Sequence, residues 1–245
     1  MKSKNPHAHP GHTLTRGAAA LALGMLSAST ASAEGIAGWD TFTGTGAGDT
    51  AVNASVTAAN VTASFVSTTE GSNWNTTDER GASADGDWGT SLGPPLADTT
   101  VGTSNDQNLE LPNATTGGTI TFSITNGGTS DLELGAFHFD TYAFRPKAAR
   151  TYELTVAADS DITPGAVYTS GALEIPHVGG AWNNLAHDDI DHPLTGLADH
   201  TLGAGESVDF VLAFSGGVGD GSGGHNLWVD NVAVTHLSAG EAYPD

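Results

Sequence analysis

Gly224-His225-Asn226-Leu227-Trp228-Val229-Asp230-Asn231-Val232-Ala233-Val234 is the most strand-like segment near the C-terminal end, and its apolar pattern breaks in the middle. With a side-chain period of two, Leu227 and Val229 face one way while Val232 and Val234 face the other. The apolar set changes face across Asp230-Asn231. One extra residue at that point, a β-bulge, restores a single apolar face. It also re-aims Asp230, a residue type depleted in strands. The segment predicts a closing strand with an acidic elbow.

Working back from there, no apolar stripe of helical period appears after residue 33. Gly, Thr, Ser, Asn and Asp dominate, and short β-rich runs alternate with turn clusters, the pattern of a sandwich or jelly roll. The clearest half-buried strand is Gly118 to Asn126, where Ile120, Phe122 and Ile124 alternate with Thr and Ser. Asn126-Gly127-Gly128 is a turn signal, and Leu132 and Leu134 begin the partner strand, which runs through Phe137-His138-Phe139-Asp140. Tyr152, Leu154 and Val156 alternate again, and Val167-Tyr168 starts a further short strand. Val208 to Phe214 is apolar on both parities, which predicts a central strand covered on both faces. Ala51 to Thr57 and Val61 to Phe65 read as two strands or one bent strand, and Leu109 with Leu111 as a short one. Two polar stretches, 67–117 and 171–200, are poor in strand signal, and loops of that length tend to carry function. The reading is one antiparallel β-sandwich over residues 34–235, jelly-roll-like with two long loops, and a polar tail over 236–245.

Residues 1–33 have the layout of a secretory signal peptide: Lys2, Lys4 and Arg16, then the apolar run Gly17 to Leu26, then Ala31-Ser32-Ala33. The run is too short to span a membrane. The expected location is therefore secreted or at the cell surface. With no cysteine, an exported chain is held by packing or by bound ions. After residue 33 only Arg80, Arg145, Lys147 and Arg150 stand against 28 acidic residues. That balance disfavours nucleic acid and anionic membranes as partners, because there is no broad basic surface to release counterions. It favours divalent cations.

Several segments together carry a resemblance. Trp39-Asp40-Thr41-Phe42 follows the leader closely, Gly118 to Asn126 reads Gly-Thr-Ile-Thr-Phe-Ser-Ile-Thr-Asn, and Leu132-Glu133-Leu134 leads into Phe137-His138-Phe139-Asp140. Leu202 to Glu206 reads L-x-A-G-E, and the chain closes on Leu227-Trp228-Val229-Asp230-Asn231-Val232. This layout resembles the exported bacterial β-sandwich proteins associated with PEP-CTERM sorting, and its ending resembles jelly-roll glycan-binding modules. The resemblance implies a secreted or surface-displayed sandwich. The sorting tail itself is absent from this sequence, which leaves release and anchoring both open.

The candidate chemistry follows. Jelly-roll modules commonly hold a structural calcium where the first and last strands meet, so the resemblance implies a site at Asp40, Asp230 and Asn231. Calcium takes six to eight oxygen ligands, and carboxylates and amides supply them. Trp74, Trp88 and Trp182 lie in the polar stretches and are the candidates for stacking on sugar rings. His187-Asp188-Asp189-Ile190-Asp191-His192 gathers metal-ligating types, but at no common zinc spacing. His138, Asp140, Tyr142 and Arg145 are close enough in sequence to suggest acid–base chemistry on a uronate. No G-x-S-x-G, P-loop or H-E-x-x-H motif occurs. The expected function is a non-catalytic extracellular module that binds glycan or matrix and is stabilised by calcium. The alternatives are a polysaccharide-active lyase or hydrolase, and a structural surface or biofilm protein with no small ligand.

Overall fold

The structure is a computed structural model that describes residues 35–39, 51–67, 73–75, 108–111, 118–177, 187–218 and 227–237, with residues 73–75, 108 and 110 described by their backbone alone. In chain order the strands are β1 Gly35–Trp39, β2 Val52–Asn53, β3 Val56–Thr57, β4 Val61–Ser67, β5 Asn73–Asn75, β6 Asn108–Leu111 and β7 Gly118–Asn126. Then come β8 Leu132–Ala143, β9 Thr151–Val156, β10 Gly165–Thr169, β11 Asp188–Pro193, β12 Thr201–Leu202, β13 Ser207–Ser215 and β14 Leu227–His236. All strand pairings among the described residues are antiparallel. They form two sheets. One runs β11-β8-β14-β1-β3, with β12 beside β8, β6 beside β14 and β5 beside β6; the other runs β10-β9-β13-β7-β4-β2. No helix among the described residues is long and apolar enough to cross a membrane.

The alternation in β7 is the reason the sheets stack. Its burial alternates strictly, with Ile120, Phe122 and Ile124 at zero exposure and the Thr and Ser between them half-buried. Phe122 sits at the centre of the layer between the sheets. Its ring lies 4.9 Å from Trp39, 5.7 Å from Phe65 and 5.6 Å from Phe137. Edge-to-face and tilted contacts of this kind are the favoured way for aromatic rings to pack in a core layer.

Strand β14 has the expected bulge. Asp230 pairs with Asp140 and Ala233 with His138, so three steps on β14 span two on β8. Leu227, Val229, Val232 and Val234 consequently all enter the core. The bulge falls where β14 changes neighbours. Leu227, Trp228 and Val229 pair with β6, whereas Val232 to Thr235 pair with β1. Trp39 lies opposite Val232, so the start of the sandwich returns beside its end.

Four expectations need correction. Asn126-Gly127-Gly128 does not close a hairpin: β7 pairs with β4 and β13, while β8 lies in the other sheet. The turn crosses between layers because Asn126 binds away from the hairpin, donating to the carbonyls of Ser130 and Leu202. Ala51 to Thr57 is also split, with β2 in one sheet and β3 in the other. Strand β13 is central, but Val211 and Ala213 on its outer face stay half-buried, so only one face is covered. Finally, Asp188 to His192 is not loop but edge strand β11. Tertiary pairing overrides the low strand propensity of aspartate there, because an edge strand can keep its acidic residues towards solvent while Ile190 and His192 turn inward.

Candidate functional site

The bulge gathers polar residues on the outer face of the first sheet. On β8, His138, Asp140 and Tyr142 alternate with the core residues Phe137 and Phe139 and so share that face. Backbone register extends the rows. Asp189, Asp140 and Asp230 lie side by side across β11, β8 and β14, and Asp191, His138 and Ala233 form the next row.

Asp140 and Asp230 are fully buried cross-strand partners, an arrangement that like charges resist. Asn231 bridges them. Its backbone N–H donates to Asp230 Oδ1 at 2.9 Å, and its side-chain Nδ2 donates to Asp140 Oδ2 at 2.9 Å. Its φ of 43° puts it in the left-handed region, which asparagine enters more readily than most residues. The sequence thus places at the bulge a type that takes the left-handed turn readily and whose side-chain amide serves the second carboxylate.

His138 has zero exposure and both ring nitrogens are engaged: Nδ1 with Asp191 Oδ1 at 2.6 Å and Nε2 with Thr235 Oγ1 at 2.9 Å. With the proton on Nδ1, the imidazole donates to Asp191 and accepts from the Thr235 hydroxyl. Next along the face, Tyr142 and Trp228 stack at 5.4 Å and 9°, both buried. Phe144 lies 5.2 Å from Trp228, and the Arg145 guanidinium sits 4.9 Å above the Phe144 ring. His187 flanks Tyr142 at 5.9 Å. Aromatic rings thus run in one continuous ladder from His187 to Phe144.

The sequence candidates therefore divide. Asp230 and Asn231 meet Asp140 at the bulge, so one candidate calcium pair and one candidate catalytic acid belong to a single cluster. Asp40, Trp88 and Trp182 lie outside the described residues. The backbone of Trp74, in β5, pairs with that of Leu109 in β6. The His187 to His192 block is divided between faces, with Asp189 and Asp191 outside and His192 inside. Among the described residues no group of three or more His, Cys, Asp or Glu side chains is gathered closely enough to hold a metal ion.

A second cluster carries no signal in the sequence, because it is built from three separate segments. At the edge where β10 and β11 meet, His192 stacks on Tyr168 at 4.1 Å and 24°. Tyr152 Oη lies 3.0 Å from His192 Nε2 and 3.4 Å from Glu174 Oε1. Tyr168 donates to Glu174 Oε1 at 2.7 Å, and the Gly171 N–H donates to Glu174 Oε2 at 2.6 Å. The turn that delivers Glu174 holds Leu173 at φ 60°, a strained position for leucine. Burial lowers His192 to a pKa of about 4, against the opposing charges of Glu174 and Asp191. Burial, then the Glu174 charge, pushes the Tyr152 phenol well above its ordinary range. Glu174 is raised by desolvation, but the bonds from Tyr168, Gly171 and Tyr152, with His192 nearby, outweigh this and hold it below the usual carboxylate range.

No protein-family model matches the chain, and no curated protein is similar to it at a significant level. Similar solved structures include a study of β-sandwich carbohydrate-binding modules with promiscuous specificity, at 12% identity and TM-score 0.35, covering 82% of this chain and 62% of that one. Another is the carbohydrate-binding module CBM28, specific for non-crystalline cellulose, at 14% identity and TM-score 0.31, covering 65% of this chain and 93% of that one. A third is SGBP-B from a complex xyloglucan utilization locus in Bacteroides uniformis, at 11% identity and TM-score 0.32, covering 83% of this chain and 66% of that one. The chain thus spans less than two thirds of the length of the first and the third.

Proposed function

We propose that the chain is an exported, non-catalytic β-sandwich module that binds glycan or matrix polysaccharide, with calcium at the Asp230 bulge. The observation that carries this reading is the outer face of the first sheet. There an aromatic ladder adjoins polar side chains that hold one another rather than stand poised for reaction. Sugar recognition needs a reachable apolar ring surface beside a few fixed polar groups. On this ladder that surface lies at its half-buried ends, Phe144 and His187, because Tyr142 and Trp228 are themselves buried. Catalysis needs an acid or base that substrate can reach, and His138 and Asp140 both have zero exposure. Export rests on the leader-like residues 1–33.

Calcium is supported by the chemistry of the donor set. Two buried carboxylates and an amide are hard oxygen donors, and a divalent cation relieves the repulsion between paired aspartates. Asp140, Asp230 and Asn231 would hold it, with Asp40, next in the chain to Trp39, as a further ligand. Trp74, Trp88 and Trp182 are the proposed stacking residues. The test is a glycan array with the full chain, followed by alanine substitution at each of the three. The reading fails if no glycan is retained, or if every variant retains it as the wild type does.

One observation favours a second reading. Thr235, His138 and Asp191 have the spacing of a nucleophile, a base and an orienting carboxylate. A polysaccharide-active enzyme built on them would lose turnover in Thr235→Val at temperatures where the variant, destabilised by the unpartnered Nε2 of buried His138, is still folded. Absence of any turnover by the wild type on the glycans it binds removes this reading.

A further inference from the structure

The cations of this chain are not spread among its acids. Beyond residue 33, three of four basic residues, Arg145, Lys147 and Arg150, lie within six positions, against 28 carboxylates in the chain. All three fall on the turn that follows β8, and the turn is rigid. Ala148 and Ala149 are fully buried, and the Ala148 N–H donates to the Arg145 carbonyl at 2.9 Å. Val218 N–H donates to the Pro146 carbonyl at 2.9 Å. Gly217 packs so closely that a Cβ there would overlap the carbonyl oxygens of Lys147 and Ala148. Arg150 Nε donates to the Ile175 carbonyl at 2.8 Å, which fixes the far end of the turn.

What this turn presents is half-buried Phe144, Arg145 and Lys147, beside Val218, which is 47% exposed. The Arg145 guanidinium rests over Phe144, which is braced by Trp228, which is stacked on Tyr142. The planar fork is therefore held in place before any ligand arrives, and an arginine has five donors, enough to serve a ligand besides its contacts within the chain. A guanidinium fork next to an ammonium suits a carboxylate, and an adjacent apolar patch suits the C–H face of a sugar ring.

We infer that the Phe144–Lys147 turn, with Val218, is a subsite for carboxylated glycan, that is, for a uronic acid residue. This rests on the glycan-binding reading above and narrows it to a ligand class. The carboxylate is bound by Arg145 and Lys147, and the ring lies against Val218 and the edge of Phe144. Charge complementarity is the reason for the choice. On a chain with a formal net charge of −21, a neutral sugar gains nothing from the one place where cations collect. At physiological ionic strength the Debye length is about 8 Å, so the distant acids are screened while contact pairs are not.

The experiment is calorimetric titration of the full chain at about 0.15 M salt with a galacturonate hexamer, its methyl ester, a neutral cellohexaose and a glutamate hexapeptide. The expected result is preference for the free acid over its ester by at least about tenfold, lost in Arg145→Gln/Lys147→Gln. Arg145→Lys, which keeps the charge but not the fork, is expected to lose part of that preference. Melting curves check that the variants fold, and Lys147→Gln alone serves if the double variant does not. Equal binding of acid and ester, or an undiminished preference in the variants, overturns the subsite. So does equally tight binding of the glutamate peptide, which marks a protein-docking turn instead. Binding of cellohexaose without the acid overturns the subsite and leaves the glycan reading standing, whereas binding of no sugar at all removes both.

Discussion

Acidification tests the buried histidine at the β10–β11 edge. His192 has a pKa of about 4 in the fold, against 6.5 when solvated, because burial disfavours its charged form. The sign follows from linkage. Above about pH 6.5 the imidazole is neutral in both states and costs nothing. Between pH 6.5 and 4 the unfolded chain takes up a proton that the folded chain refuses, so stability falls as pH falls. At 1.36 kcal/mol per pKa unit the loss comes to about 3 kcal/mol by pH 4, and is constant below that. Several titrating groups surround this ring: Tyr152 from β9, Tyr168 from β10, Glu174 from the following turn, His138 from β8 and Asp191 from its own strand. Glu174, held below its usual range, acts in the same direction at lower pH. The 28 acidic residues also titrate, so the contribution of His192 must be isolated by difference. His192→Gln keeps a polar group against Tyr152 and does not titrate. Urea unfolding of both proteins at pH 7.5, 5.5 and 4.5 is expected to show a steeper fall in the wild type, the gap reaching about 2.5 kcal/mol at pH 4.5. An imidazole NMR titration with its midpoint near 6.5, or parallel stability curves for the two proteins, refutes the argument.

Chelation tests the proposed cation: melting with excess calcium against EDTA is expected to differ by several degrees, since a ligand at 100 times its Kd adds about 2.7 kcal/mol, and superimposable curves remove calcium. Asn231→Ala is expected to lower stability by roughly 2 kcal/mol, through left-handed strain and the lost bond to Asp140, and Asn231→Gly by less, because glycine relieves the strain alone; the order of the two melting temperatures decides. Phe122→Ala should cost about 3–5 kcal/mol in urea unfolding, because its ring touches Trp39, Phe65 and Phe137 at the centre of the core. Gly217→Ala is expected to lower the melting temperature markedly, as the added methyl group meets the backbone of Lys147 and Ala148 rather than a movable side chain.

Where side-chain parity and turn chemistry acted locally, the sequence was readable. The strict alternation of β7 and the parity break at Asp230-Asn231 each led to the right backbone, bulge included. The L-x-A-G-E turn is closed by Glu206, which accepts from the Gly203 N–H at 2.7 Å, and Gly205 takes the positive φ of 83°. What was not readable depends on partners distant in the chain. Asn126 looks like a hairpin residue until its amide is found on Leu202, 76 positions away. His187 to His192 looks like loop because aspartate is a poor strand former, and only pairing with β8 makes it a strand. Asp140 and Asp230 were both singled out, but for different chemistries; their register across 90 residues makes them one cluster. His138 reads as a strand histidine from the sequence, but nothing local predicts Thr235 on its second nitrogen.

The irregularity in the last strand constrains how this polypeptide can vary. Removing Asn231 would straighten the ribbon without turning it over: Val232 would follow Asp230 directly, and Leu227, Val229, Val232 and Val234 would alternate regularly on the one inner face. Substitutions along the segment are survivable one at a time. A loss of one residue is absorbed at this point alone; elsewhere in the segment it reverses the faces of the residues on one side of it, or turns Asp230 towards the core if the bulge is flattened to compensate.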